Sequence, residues 1–186
     1  PNSPHDFGYA ILPRMVERDK VYAYRYEDFW RDIGTIEAYY ATNMEFTDGK
    51  LPFSLNGTWP ILTCQNNAPA KQFPNSRVVN SIISPDCVVK GKVENSILSP
   101  GVWVDEQATV RNSILLSNVF VGFHSIVESC IADEEVNISK LCYVGFRRDH
   151  DQTVECTLIG KGSTKLPHTA IACGCKIMPY SNTTES

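Results

Sequence analysis

The second half of the chain contains a short repeat, and this repeat restricts the fold more than any other feature. Four related segments read SIISPDCVV (81–89), SILSPGVWV (96–104), SILLSNVFV (113–121) and SCIADEEVNI (129–138). Each begins at a serine, and the intervals between these serines are nearly equal. Self-similarity at a period shorter than any helical-hairpin repeat predicts a solenoid.

A finer rhythm of six residues, with two steps of five, runs through the repeat. Its anchors are Leu98, Val104, Val110, Leu116, Val121, Val127, Ala132, Ile138 and Val144, and after a break Ile159, Lys165, Ile171 and Ile177. A helix cannot keep this period, because 3.6 residues per turn would rotate each successive anchor by about 240°. One unit fits a short strand and a corner, and three units close a triangular coil with its anchors inside. We therefore predict a mainly β fold, a parallel β-helix of the hexapeptide type.

The segment GFRRDHDQTVECTL (145–158) interrupts the rhythm. A polar insertion between coils is a surface loop, where Arg147 and Arg148 could bind a phosphorylated effector. The alternative is a solvated loop in which these arginines pair with Asp149 and Asp151.

The segment before the repeats, 1–48, has a different pattern. Asp6 is a possible N-cap of a short helix, and the alternating, tyrosine-rich segment 21–26 predicts a strand. After Gly34 a second helix is expected, with Thr35 as its N-cap.

These patterns suggest four regions. Residues 1–48 form an α/β segment, residues 49–76 a linker rich in proline, glycine and asparagine, residues 77–179 the β-helix, and residues 180–186 a disordered tail.

Asp32 lies in the stretch FWRDIGT (29–35), between the predicted strand and the predicted helix. Such positions face ligand crevices in α/β sheets, and a carboxylate there can hold a divalent cation that also contacts phosphates. Two other roles stay open from the residues alone. Asp32 could pair with Arg31, or it could cap the following turn.

Charge and composition exclude two classes of partner. The net charge is −4 without a basic run, so the electrostatic signature of a nucleic-acid or membrane-surface binder is missing. No stretch approaches the roughly 18 uninterrupted apolar residues that a membrane span needs.

The seven cysteines are an odd number in a chain without a recognisable secretion signal, so reduced thiols and a cytoplasmic location are expected.

Several motifs together resemble a known family. HDFG, ILPRM, VYAYRYEDFWRDIGTIEAYYATNM, WPILT and NSILSPGVWV, in that order, are similar to the C-terminal two fifths of glucose-1-phosphate adenylyltransferase, also called ADP-glucose pyrophosphorylase. The resemblance runs from His5 to about Pro179. It implies left-handed coils, and it makes residues 1–48 the α/β tail of a nucleotidyltransferase domain.

The resemblance also implies an activity. ATP and glucose 1-phosphate would give ADP-glucose and pyrophosphate, for glycogen or starch synthesis. In the family, the aspartate of the W-R-D-x-G-T box is one of two that hold Mg²⁺. The matching residue is Asp32, which the resemblance therefore makes a catalytic metal ligand.

Other parts of the family pattern do not occur in this sequence. The glycine-rich G-G-x-G-T-R-L loop, the second metal aspartate and the sugar-phosphate lysine are missing, and the chain opens on Pro1. We expect a fragment that is inactive alone and serves oligomerisation or regulation, within a homotetramer in the intact enzyme. Bacterial members often have a basic residue after SPGVWV where this chain has Asp105 and Glu106, so the resemblance does not identify the allosteric effector.

Two other functions fit hexapeptide coils. An acyltransferase would use a histidine as general base at a coil corner, and His124 could serve. A non-catalytic oligomerisation module would need no reactive residue at all.

Overall fold

A computed structural model describes residues 5–49, 68–147 and 155–183. These residues fall into two compact units that divide between Trp30 and Arg31.

The first unit begins with a capped helical segment. The N–H of Tyr9 donates to Oδ1 of Asp6 over 2.6 Å, which confirms the predicted N-cap. A single π-helical turn, Phe7–Ile11, leads into the α-helix Leu12–Arg18 (α1). Pro13 lies in the first turn of α1, where a missing N–H interrupts no helical hydrogen bond.

The predicted strand at residues 21–26 is wrong, because this segment has no regular secondary structure. Tyr22 and Tyr24 are 85% and 90% exposed. Alternation alone does not make a strand, since the backbone also needs a neighbouring strand with which to exchange hydrogen bonds. Within the described part of the chain, no segment pairs with it.

The second unit begins with the α-helix Ile36–Thr47 (α2). Thr35 caps it as predicted, since its Oγ1 accepts a 3.1 Å hydrogen bond from the N–H of Ala38. Tyr39, Tyr40 and Met44 lie on its half-buried side.

A solenoid follows α2, and the β-helix prediction is confirmed. Numbered along the chain, its described strands form three parallel sheets. The first sheet contains β1 Lys71–Gln72, β4 Val88–Val89, β7 Trp103–Val104, β10 Phe120–Val121, β13 Asn137–Ile138, β16 Thr164–Lys165 and β19 Asn182–Thr183. The second contains β2 Arg77–Val79, β5 Lys92–Glu94, β8 Thr109–Arg111, β11 Ile126–Glu128, β14 Tyr143–Phe146 and β17 Ala170–Ala172. The third contains β3 Ile82–Ile83, β6 Ile97–Leu98, β9 Ile114–Leu115, β12 Cys130–Ala132, β15 Thr157–Ile159 and β18 Lys176–Ile177.

The strands extend past the region boundaries suggested by the sequence. β1 lies within the predicted linker, 49–76, and β19 lies within the predicted tail, 180–186. Residues 50–67 of that linker fall outside the described residues.

The interior of the solenoid is a column of stacked side chains. Eleven predicted anchors are buried: Leu98, Val104, Val110, Val121, Val127, Ala132, Ile138, Val144, Ile159, Lys165 and Ile171. Ile177 is half-buried. Each coil therefore covers the apolar side chains of the next, and neighbouring coils supply most of the stability.

One predicted anchor, Leu116, is wrong. Leu115 is the buried residue, and it stacks between Leu98 and Ala132. Leu116 is half-buried and faces outward, where it lines a cleft beside α2. The fourth repeat accordingly begins at Cys130, because β12 pairs with β9 through Ile131 and Ile114.

The two adjacent leucines provide a direct test of this inward assignment. Leu115→Ala should lower the free energy of unfolding by about 2–5 kcal/mol, because it leaves a cavity in the column. Leu116→Ala should cost less than about 1 kcal/mol, since its side chain is partly solvated already. Urea unfolding followed by circular dichroism measures both. Equal costs would contradict the inward assignment of Leu115.

Lys165 is a charged residue inside the column. It is 0% exposed, and its Nζ lies 3.5 Å from the backbone oxygen of Ser181. Burial lowers the pKa of the Lys165 ammonium, since a charged group is poorly solvated there.

Candidate functional site

Asp32 lies in a tight turn immediately before α2. Its Oδ1 accepts a 3.1 Å hydrogen bond from the N–H of Gly34. Asp32 therefore caps the turn, one of the roles left open by the sequence. A side chain at Gly34 would bring a Cβ to 3.2 Å from the same Oδ1, so glycine leaves this carboxylate room.

Arg31 does not pair with Asp32, which was the other open role. Its guanidinium donates to both carboxylate oxygens of Glu45, over 3.2 and 3.1 Å. Both hydrogen bonds come from Nη2 of Arg31, and Glu45 lies in the last turns of α2, so the contact folds the turn back along the helix. The backbone on each side of Asp32 is thus held, on one side by Arg31 and on the other by the Thr35 cap.

A cleft of about 610 Å³ lies beside this turn. Ile33 and Ile36 line one wall, and Leu116, Ile131 and Leu158 of the solenoid line the other. The outward leucine that departs from the predicted rhythm thus belongs to this apolar surface.

Tyr40 attaches α2 to the solenoid. Its hydroxyl donates a 2.6 Å hydrogen bond to the backbone oxygen of Asn112. Burial, together with the nearby Cys156 thiol, raises the pKa of Tyr40 to about 12. The hydroxyl therefore keeps its proton and remains a donor near neutral pH.

Removal of the Tyr40 hydroxyl should weaken this attachment. Tyr40→Phe leaves the Asn112 oxygen without its donor and should lower the free energy of unfolding by about 1 kcal/mol. Amide hydrogen exchange in α2 should speed up at the same time. Tyr39→Phe is the matched control, because Tyr39 faces the apolar cleft. If both variants behave alike, the attachment does not depend on this hydroxyl.

The comparisons with known proteins agree with this organisation. A sequence model described as GlmU-like, C-terminal hexapeptide matches residues 68–164, and one described as nucleotidyl transferase matches residues 1–49. The glucose-1-phosphate adenylyltransferase of Fervidobacterium nodosum is 42% identical over 146 residues, 77% of this chain and 35% of that protein. The same enzyme of Acetivibrio thermocellus is 34% identical over 179 residues, 94% of this chain and 42% of that protein.

The chain belongs to the GlmU-like, C-terminal hexapeptide family and is a homologue of the C-terminal part of glucose-1-phosphate adenylyltransferases. A third relative with that name, from Koribacter versatilis, is 36% identical over 167 residues, 82% of this chain and 40% of its own length. The chain spans 35–42% of the length of these relatives and matches their C-terminal part. The predicted resemblance is thereby confirmed.

Asp32 is the candidate magnesium ligand of this adenylyltransferase homologue. No group of three or more histidine, cysteine, aspartate or glutamate side chains among the described residues is placed to hold a metal. Magnesium is usually held by one or two carboxylates together with substrate phosphates. Asp32 fits as one such ligand, because its carboxylate is exposed and the turn uses Oδ1 alone.

Of the two candidate effector residues, Arg147 and Arg148, the structure describes only Arg147. Arg147 is exposed and lines a polar cavity beside Tyr40, Asn95 and Asn112. Arg148 lies outside the described residues.

Sequence reasoning missed the asparagines beside Arg147. A signal for them was present, since the repeats contain N-S-I at Asn80, Asn95 and Asn112, always at a coil corner.

His124, the candidate general base for acyl transfer, also lies at a corner of the solenoid. Its φ is 59°, and its ring meets Phe123 edge to face at 5.3 Å between centroids. Elsewhere, no described helix is long and apolar enough to cross a membrane.

Proposed function

We propose that the protein containing this chain transfers the adenylyl group of ATP to glucose 1-phosphate, which releases pyrophosphate and forms ADP-glucose. The observation that carries the proposal is the exposed Asp32 carboxylate, held before α2 within the segment that matches nucleotidyl transferases. The names of the relatives support the choice of substrates.

The chemistry requires positioning more than strong acids or bases. The phosphate oxygen of glucose 1-phosphate is already ionised near neutral pH, so it needs no strong base to attack the α-phosphorus of ATP. Bound at Asp32, Mg²⁺ would neutralise charge on the phosphates. Asp32 would supply one carboxylate oxygen to the ion, while Oδ1 keeps the turn closed through Gly34.

The Arg31 contact has a function in this scheme. By holding Glu45 with two hydrogen bonds, Arg31 limits the motion of the backbone that carries Asp32. A metal ligand held this way loses little conformational entropy when the ion binds.

We assign the solenoid an oligomerisation or regulatory role, as part of a cytoplasmic homotetramer that serves glycogen or starch synthesis. Its outward sheet surfaces offer long parallel faces for sister subunits. Arg147 is the described residue that we assign to an allosteric effector, with Arg148 beside it in sequence. On its own, this chain should not turn over.

Pyrophosphate release from ATP and glucose 1-phosphate by the intact protein tests the proposed function. Isothermal titration of the chain with acetyl-CoA tests the two alternative functions, acyl transfer and a non-catalytic assembly module. Acetyl-CoA binding that His124→Ala abolishes would instead favour acyl transfer. An intact protein without pyrophosphate release or acetyl-CoA binding would be an assembly module.

A further inference from the structure

One row of the solenoid interior changes from aliphatic to charged near the last coil that the structure describes. In the first sheet, Val89, Val104, Val121 and Ile138 occupy the inward position of successive coils, and each is 0% exposed. Lys165 takes the same position in the next coil, in register with Ile138, and is also 0% exposed. A buried ammonium lowers the stability of a fold unless it is well paired. A lysine at a packing position is therefore a candidate for a role other than packing.

The Lys165 ammonium has few groups to bind. Among the described residues, its one hydrogen-bond acceptor is the backbone oxygen of Ser181, 3.5 Å from Nζ. An ammonium carries three donors, and this contact is longer than the usual N–H···O distance of about 2.9 Å. None of the ion pairs between described residues includes Lys165. The charged form is thus poorly compensated, and burial lowers the pKa of this lysine.

Ser181 belongs to the last coil that the structure describes, residues 176–183, which contains β18 and β19. β19 pairs with β16, the strand that carries Lys165, and β18 pairs with β15. This coil adjoins Lys165 on the side away from Ile138, and we call it the covering coil. The Lys165 side chain therefore lies between an apolar residue on one side and the covering coil on the other.

Hydrogen bonds attach the covering coil to the coil before it. The backbone N–H groups of Gly160 and Thr164 donate to it over 2.9 and 3.1 Å, and the buried Ser163 hydroxyl donates to the backbone oxygen of Met178 over 2.9 Å. Its apolar contribution is small, because Ile177 is only half-buried and Met178 is 73% exposed. A segment with few buried apolar contacts opens at a lower free energy than the rest of a fold.

The other groups around Lys165 do not carry a charge near neutral pH. From the corner between β13 and β14, Cys142 contributes a thiol whose pKa is raised by burial, so this thiol keeps its proton. β13 contributes Ile138, and the covering coil contributes the backbone oxygen of Ser181. The titratable residues on the outer surface of these coils include Glu134, Lys161, His168, Lys176 and Tyr180.

We propose that protonation of Lys165 releases the covering coil, so that this part of the solenoid is a pH-dependent closure. The neutral amine stays in the column, where it replaces an aliphatic side chain. The ammonium requires water, which it reaches once residues 176–183 move away. Their release uncovers β15 and β16, whose free edges can then pair with another strand. The proposal goes beyond nucleotidyl transfer and does not depend on Asp32.

The direction of the pH effect follows from linkage. The pKa of Lys165 is lower when the coil is closed than when it is released, so the released state binds more protons. The closed coil therefore becomes more stable as the pH rises. The change is confined to the range between the lowered pKa and the ordinary value of a lysine, 10.5. Within that range, the closing equilibrium changes by up to about tenfold per pH unit.

Pulsed hydrogen exchange of the chain, with detection at single amides, tests the proposal. The reporters are the amides of Gly160 and Thr164, which donate to the covering coil. We expect their protection factors, corrected for the intrinsic exchange rate at each pH, to rise by up to about tenfold per unit over part of the range from about pH 7 to about pH 10. The amide of Trp103, which donates to Val119 in an earlier part of the column, is the internal control and should not respond.

Matched variants assign the effect to Lys165. Lys165→Met keeps the length of the side chain without its charge, so it should abolish the pH dependence and hold protection at the level reached at high pH. Lys176→Met removes an exposed lysine of the covering coil and should preserve the pH dependence. Cys142→Ser removes the neighbouring thiol and should also preserve it. Circular dichroism checks that each variant is folded.

Three results would overturn the proposal. Protection of Gly160 and Thr164 does not rise with pH, the Trp103 amide responds as strongly as they do, or Lys165→Met retains the pH dependence of the unsubstituted chain. The first two results need no variant, so they decide the matter even if Lys165→Met does not fold. Because the experiment involves neither nucleotide nor glucose 1-phosphate, its failure would leave the proposed transferase activity standing.

Discussion

Asp32→Asn in the intact protein should lower the rate of ADP-glucose formation by about a hundredfold or more, because a charged metal ligand is lost. The melting temperature should barely change. Asparagine retains a side-chain oxygen that accepts the N–H of Gly34, and the residue is exposed, so no packing is lost. A coupled assay of pyrophosphate release, with a thermal melt of the same preparation, measures both quantities.

Asp28→Asn is the control for this experiment, because Asp28 is also exposed and lies shortly before Asp32 in the sequence. It should leave the rate unchanged. A rate for Asp32→Asn close to that of the unsubstituted protein would remove Asp32 from the metal site. It would leave the turn and its hydrogen bond as the role of this residue.

Val110→Asp should unfold the solenoid. Val110 is 0% exposed and stacks between Val93 and Val127 of the adjacent coils. An unpaired carboxylate at that position costs several kcal/mol, comparable to the whole stability of a domain, which is about 5–15 kcal/mol. Far-ultraviolet circular dichroism and the soluble yield report the loss.

Thr109→Asp is the matched control for Val110→Asp. Thr109 is the neighbouring residue of the same strand, but it points to the outer surface and is half-buried. This variant should remain folded, with a free energy of unfolding changed by about 1 kcal/mol or less. A soluble, native-like Val110→Asp protein would contradict the inward assignment of that position.

The spacing of small and aliphatic residues predicted the β-helix correctly, because every coil repeats the same inward requirement. It failed at Leu116 for a specific reason. Two leucines are adjacent there, and hydrophobicity cannot decide which of them faces inward. The answer depends on how many residues the preceding corner uses, and the pairing of Leu115 with Leu98 shows that this corner is one residue shorter than the rhythm of six predicts.

The strand expected at residues 21–26 failed for a different reason. Its alternation describes which side chains share a face, but pairing depends on another segment. The contact between Tyr40 and Asn112 was missed because it joins residues far apart in sequence, for which a local pattern carries no signal. For Asp32, the turn and the adjacent helix cap were predictable from the residues, and its metal role stays a prediction.

The coils of this solenoid differ in length although their strands stay aligned. Val89 pairs with Val104, Val104 with Val121, and Ile138 with Lys165, and the stretch of chain between the partners lengthens from each of these pairs to the next. The shortest of the three coils has a tight corner at Gly91, where a side chain would collide with the backbone oxygen of Ala108. Length changes are absorbed at the corners, while the interior repeat stays intact. Insertions and new surface chemistry can therefore accumulate there during evolution without any redesign of the stacked interior.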